Sequence, residues 1–145
     1  MRKLSILSFL ALLLNSCTPA PPQTLEIRDA WTRPLDASLG IAGALYLTIE
    51  NNTQNAVTLV GGDTAIADTT ELHQSIMDDD VMRMRPMAAV SIQPGEQVAF
   101  APGGNHVMLK GLSRSLIAGD SIQFTMRFSG HAPVSAKAVV QWEAP

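Results

Sequence analysis

Past its first two dozen residues the chain repeats one pattern. Short runs of apolar and β-branched residues alternate with polar positions and are broken by turn-forming clusters. The runs Leu25 to Trp31, Ala42 to Glu50, Ala56 to Val60, Thr69 to Met77, Val81 to Pro86, Val98 to Ala101, His106 to Leu109, Ser121 to Phe128 and Val134 to Trp142 predict strands. Between them stand Asn51-Asn52, Gly61-Gly62, Pro94-Gly95, Pro102-Gly103-Gly104 and Ala118-Gly119-Asp120, all residue types that close turns. No stretch sustains a 3.6-residue period, and no internal repeat is evident. Short strands at this spacing predict an all-β domain, a sandwich or Greek-key barrel.

The first segment breaks the pattern. Arg2 and Lys3 precede an apolar run from Leu4 to Leu14. A spanning helix needs about 20 apolar residues, so this run reads as a targeting signal. It ends in Leu14-Asn15-Ser16-Cys17, which resembles a bacterial lipobox. The reading is a lipoprotein signal peptide over 1–16, a lipidated Cys17 opening a proline-rich tether over 17–24, and a folded domain over 25–145. It predicts a periplasm-facing lipoprotein of the bacterial cell envelope, held to a membrane by its lipid anchor. Thr18, not Asp, follows the cysteine, which by the Gram-negative sorting rule favours the outer membrane.

Charge and cysteine usage narrow the function. The formal net charge is −3, and removing Arg2 and Lys3 makes it more negative. With no basic patch, nucleic acid is not an expected partner. Asp78-Asp79-Asp80 is the only charge run, and it reads as a solvated turn. Cys17 is the only cysteine, which excludes an internal disulfide.

The candidate chemistry lies in four residues: His73, Met84 and the pair His106-x-Met108. Ten residues separate His73 from Met84, and 21 separate Met84 from His106. Imidazole and thioether donors without a thiolate suit a soft, low-charge ion such as Cu(I), whereas protein zinc sites favour Cys, His and carboxylates. On a strand His106 and Met108 share a face, with Val107 and Leu109 turned to the core. If Asp78-Asp79 form a two-residue turn, His73 lies directly opposite Met84 on the next strand, with Ser75 facing Met82. Met77, Met82 and Met87 crowd the same hairpin as spare thioethers, entry ligands or packing. Met77 and Met82 are the possible accessory metal residues. Met126 alternates within an apolar strand and reads as core. His131 reads as a loop histidine, and Trp31, Tyr46 and Trp142 read as packing residues.

The frame and its surroundings resemble the PCu(A)C family of periplasmic copper chaperones. ELHQSIMDDDVMRMRPM (Glu71 to Met87) is similar to that family's first metal hairpin, and FAPGGNHVMLKGL (Phe100 to Leu112) to its second metal segment. DAWTRP (Asp29 to Pro34) and ALYLTIEN (Ala44 to Asn51) read like its opening strands. The resemblance implies a cupredoxin-like Greek-key β-barrel or sandwich and a Cu(I) chaperone. Its partners would be the CuA domain of cytochrome c oxidase subunit II and a Sco-type thiol protein. Some members carry a His- and Met-rich C-terminal tail for Cu(II). Residues Gln141 to Pro145 hold none, so one copper per chain is expected. A blue-copper or CuA-type electron carrier needs a thiolate, and Cys17 is far from the frame. No Ser-His-Asp order or paired-carboxylate site can be singled out, so the chain does not read as an enzyme. The alternatives are a copper scavenger or buffer, and an anchored β-domain without a metal.

Overall fold

The computed structural model describes residues 23–145. Cys17, the 1–16 leader and most of the 17–24 tether lie outside the described residues.

Among the described residues the fold is built of ten strands. They are β1 (Leu25–Thr32), β2 (Gly43–Asn51), β3 (Val57–Asp63), β4 (Ala67–Asp78), β5 (Val81–Pro86), β6 (Val90–Ile92), β7 (Gln97–Phe100), β8 (Asn105–Leu112), β9 (Ser121–Ser129) and β10 (His131–Val140). One short 3-10 turn, Ala37–Leu39, is capped by Asp36, whose carboxylate accepts from the Ser38 amide. The strands form one rolled sheet in the order β5-β4-β8-β2-β1-β10-β9-β3-β6, and β7 extends the β8 edge of β2. Every pairing is antiparallel except β1 with β10, where Trp31 lies beside Val139. The sheet is open, because β5 and β6 end the order without pairing to each other.

The predicted alternation decides which face is inside. On β9, Ile122, Phe124, Met126 and Phe128 are buried and the residues between them are not. They pack with Leu45, Leu47 and Ile49 of β2, Leu72 of β4 and Val107 and Leu109 of β8. Full burial of one such aliphatic side chain contributes about 1.5–3 kcal/mol. Asn51 is also wholly buried, and it is satisfied. Its amide donates to the Asn55 and Ile92 carbonyls, and its carbonyl accepts from Thr53.

Several sequence expectations are corrected at the margins. The three-residue strand β6 carries too little pattern to be seen in advance. His131 opens β10 and is not in a loop. Trp142 lies beyond the end of β10 and is 69% exposed, so it is not a packing residue. Met126 is core, as expected, and Met87 packs against the core from its edge.

Candidate metal centre

Three adjacent strands carry the frame: β5, β4 and β8. β8 pairs with β4 so that His106 is opposite His73, and Met108 is opposite Glu71. β5 pairs with β4 so that Met84 is opposite Ser75, Met82 opposite Met77, and Pro86 opposite His73. Side chains alternate along each strand, so His73, Met84, His106 and Met108 all stand on one face. Arg83 and Arg85 stand on the other, where both approach the Asp78 carboxylate, at 3.2 and 3.6 Å.

The hairpin register departs from the expected one. The turn is Asp79-Asp80, not Asp78-Asp79, and both residues have positive φ, 48° and 63°. Two left-handed residues make the turn whose twist suits an antiparallel ribbon. The step slides the pairing by two positions, so His73 faces Pro86 and Met84 becomes its diagonal neighbour. A two-position slide preserves the face. Diagonal cross-strand neighbours are about 7–8 Å apart at Cα, within reach of a long thioether.

The two histidines are buried, 8% and 4% exposed, on the face opposite the main core. Their ring centroids are 5.9 Å apart and the planes are inclined at 45°. Each ring has one nitrogen bonded and one free. His106 Nδ1 donates to the Gly104 carbonyl at 3.1 Å, and its Nε2 is buried without a partner. His73 Nε2 donates to Glu71 Oε2 at 2.9 Å, and its Nδ1 is buried without a partner. Leaving a buried polar atom unpaired costs about 1–3 kcal/mol, so two of them side by side are a signature of a ligand site.

Around this pair the polar groups are organised. The other Glu71 oxygen, Oε1, accepts from Lys110 Nζ at 2.8 Å. The Lys110 ammonium first, and the His73 ring after it, hold the Glu71 carboxyl below the ordinary carboxylate value. The Gly104 carbonyl also accepts from the Ser75 amide at 3.0 Å, which ties the loop before β8 to the hairpin strand. Sequence reasoning missed Glu71, Lys110 and Gly104. Period-two spacing was the available signal for the side chains: Glu71-x-His73 and His106-x-Met108-x-Lys110 each put their charged member on the site's face.

The thioethers are more open. Met108 is half-buried beside the histidines, whereas Met84, Met82 and Met77 are 57%, 55% and 64% exposed. The arrangement is a buried pair of imidazoles flanked by a half-buried sulfur and a solvent-facing row of sulfurs. Among the described residues no three His, Cys, Asp or Glu side chains form a group that could hold a metal ion without the thioethers.

The LpqE-like family model, a lipoprotein family, matches residues 25–140, the whole β-domain apart from its last residues. The chain belongs to this LpqE-like, PCuAC family. The protein Lxx21020 of Leifsonia xyli subsp. xyli, named as a lipoprotein, is 29% identical over 119 residues, covering 77% of this chain and 70% of that one. The copper-bound PCuAC domain from PmoF2 is similar in structure with a TM-score of 0.67 and 26% identity, covering 87% of this chain and 97% of that domain. The solution structure of CuI-DR1885 from Deinococcus radiodurans has a TM-score of 0.59 and 26% identity, covering 87% and 83%. The cupredoxin-like fold expected of this PCuAC protein is therefore the one it has.

Proposed function

We propose that this protein is a non-catalytic Cu(I) metallochaperone of the bacterial cell envelope, with His73, Met84, His106 and Met108 as ligands to one copper. The observation that carries it is the pair of buried, unpartnered nitrogens, His73 Nδ1 and His106 Nε2, on the face that also presents Met108 and Met84. Copper in the PmoF2 domain and Cu(I) in DR1885 support the choice of metal. The lipoprotein family and the lipobox-like Leu14 to Cys17 support an anchored envelope protein.

The arrangement suits a carrier. Neutral thioethers hold Cu(I) without a charge that must be displaced, and the exposed sulfur of Met84 is accessible to an incoming ligand from a partner. The buried imidazoles retain the ion while sulfur ligands exchange. The recipient we propose is the CuA centre of cytochrome c oxidase subunit II, reached together with a Sco-type thiol protein. Thr18, which follows Cys17 where an inner-membrane signal would have Asp, supports an outer-membrane location.

An anaerobic Cu(I) competition titration of the full chain in detergent, beside the Met84→Leu, Met108→Leu double variant, tests the site. Tight one-to-one binding that collapses in the variant is expected. Absent binding, or binding unchanged in the variant, overturns the reading. A deletion strain tests the recipient. Copper-dependent loss of oxidase activity is expected, whereas copper sensitivity with normal oxidase assembly would mark a buffer instead.

A further inference from the structure

A neutral imidazole has one N–H and one lone pair, and only the lone pair binds a metal. Which nitrogen is free is set by what the other one bonds to. In this site both partners are groups that can only accept. The Gly104 carbonyl, 3.1 Å from His106 Nδ1, requires a proton there and leaves Nε2 bare. The Glu71 carboxylate, 2.9 Å from His73 Nε2, requires a proton there and leaves Nδ1 bare. The two bare nitrogens are the same two that are buried without partners.

Glu71 is engaged at both oxygens. Its second oxygen is 2.8 Å from Lys110 Nζ, on the neighbouring strand. The ladder fixes this triangle: Met108 is opposite Glu71, His106 opposite His73, and Lys110 opposite Thr69. Glu71 therefore lies beside its own ligand histidine along β4 and beside Lys110 diagonally across to β8.

We propose that Glu71, clamped by Lys110, is a positioning residue that fixes the His73 tautomer, so that His73 presents Nδ1 to the metal while His106 presents Nε2. The proposal rests on the Cu(I) site above and adds the identity of the two donor atoms and the residues that select them. His73 and His106 are then not equivalent. His106 is set by backbone, which no substitution removes, and His73 is set by a side chain pair that a single substitution does.

The test is long-range ¹H–¹⁵N correlation of the imidazole rings in the metal-free full chain in detergent, at a pH where both rings are neutral. Wild type should show the Nε2–H tautomer at His73 and the Nδ1–H tautomer at His106. Glu71→Ala should convert His73 to a mixture and leave His106 unchanged, with a fall in Cu(I) affinity of about 10–100-fold, the usual loss on removing such a partner. Glu71→Gln, whose amide oxygen still accepts, should keep most of the His73 tautomer and lose less affinity. Backbone amide spectra establish that each variant is folded, and the wild-type tautomers decide the point even if Glu71→Ala does not fold. An Nδ1–H tautomer at His73 in wild type, or no change in a folded Glu71→Ala, overturns the proposal while tight Cu(I) binding would leave the carrier reading standing. The expected tautomers with no Cu(I) binding overturn the carrier reading, and with it the assignment of these nitrogens to a metal.

Discussion

His73 and His106 face each other across the β4–β8 ladder, and each keeps one buried ring nitrogen without a hydrogen bond. Each such nitrogen has a lone pair to offer an ion, as the proposed site requires. We expect Cu(I) to raise the thermal unfolding temperature of the metal-free protein, since a ligand present at 100 times its Kd adds about 2.7 kcal/mol to stability. His73→Ala and His106→Ala should each remove most of that shift and weaken Cu(I) binding by at least about 100-fold, the upper end of what losing even a ligand's supporting partner costs. A full thermal shift in either variant would show that the pair is not the binding site.

The methionines should divide by position. Met108 is half-buried next to the histidines and Met84 is the diagonal neighbour of His73, whereas Met77 and Met82 pair with each other nearer the hairpin turn. Met84→Leu and Met108→Leu should each weaken Cu(I) binding. Met77→Leu and Met82→Leu should leave equilibrium affinity nearly unchanged and slow copper transfer to an acceptor if these sulfurs serve entry and exit. Because Met77, Met82 and Met84 are more than half exposed, their Leu variants should change unfolding stability by no more than about 0.5 kcal/mol. Titration, stopped-flow transfer and urea unfolding separate these effects.

The Asp79-Asp80 turn governs which side chains reach the site. Inserting one glycine between them should shift β5 by one residue against β4 and exchange its faces, directing Arg83 and Arg85 to the position of Met82 and Met84. Cu(I) affinity should then fall as far as in Met84→Leu, with the histidines intact. Conversely, Asp80→Gly relieves a side chain held at φ 63°. It should stabilise the protein by up to about 1 kcal/mol and leave affinity unchanged. Preserved thioether ligation in the insertion variant would contradict the register.

Much of this was legible in the chain. Period-two alternation located nine of the ten strands because their buried faces carry unambiguous runs, as in Ile122, Phe124, Met126 and Phe128. The four proposed ligands were legible because imidazole and thioether at fixed spacing are rare in combination, and the strand period placed them on one face. The turn position was not, since three consecutive aspartates offer two equivalent two-residue turns and only the backbone decides between them. Nor was the burial of His73 and His106, since both stand on the face opposite the main core. Glu71 entered only as the first residue of a family-like segment, and its hydrogen bonds to His73 and Lys110 arise only when β4 and β8 are laid side by side.

Acid sensitivity should trace in part to carboxylates far from the metal face, beside Glu71 on it. Asp36 accepts from the Ser38 amide at 2.9 Å and from Ser115 Oγ at 3.3 Å, and the Ser38 amide chiefly holds its carboxyl below the ordinary aspartate value of 3.8. A carboxyl depressed in the folded state binds protons more readily once unfolded. Its stabilising contribution is therefore complete above that ordinary value and lost as pH falls through the lower, folded one. Glu26 behaves alike, held down first by the hydrogen bond from Arg28. Stability measured by urea midpoint should be flat with respect to these groups from pH 7 to about pH 5 and then decline towards pH 2. Asp36→Asn should lower the midpoint at pH 7 and make the decline shallower, while Cu(I) affinity at pH 7 stays at the wild-type value. An equally steep decline in Asp36→Asn would assign the acid sensitivity to other groups.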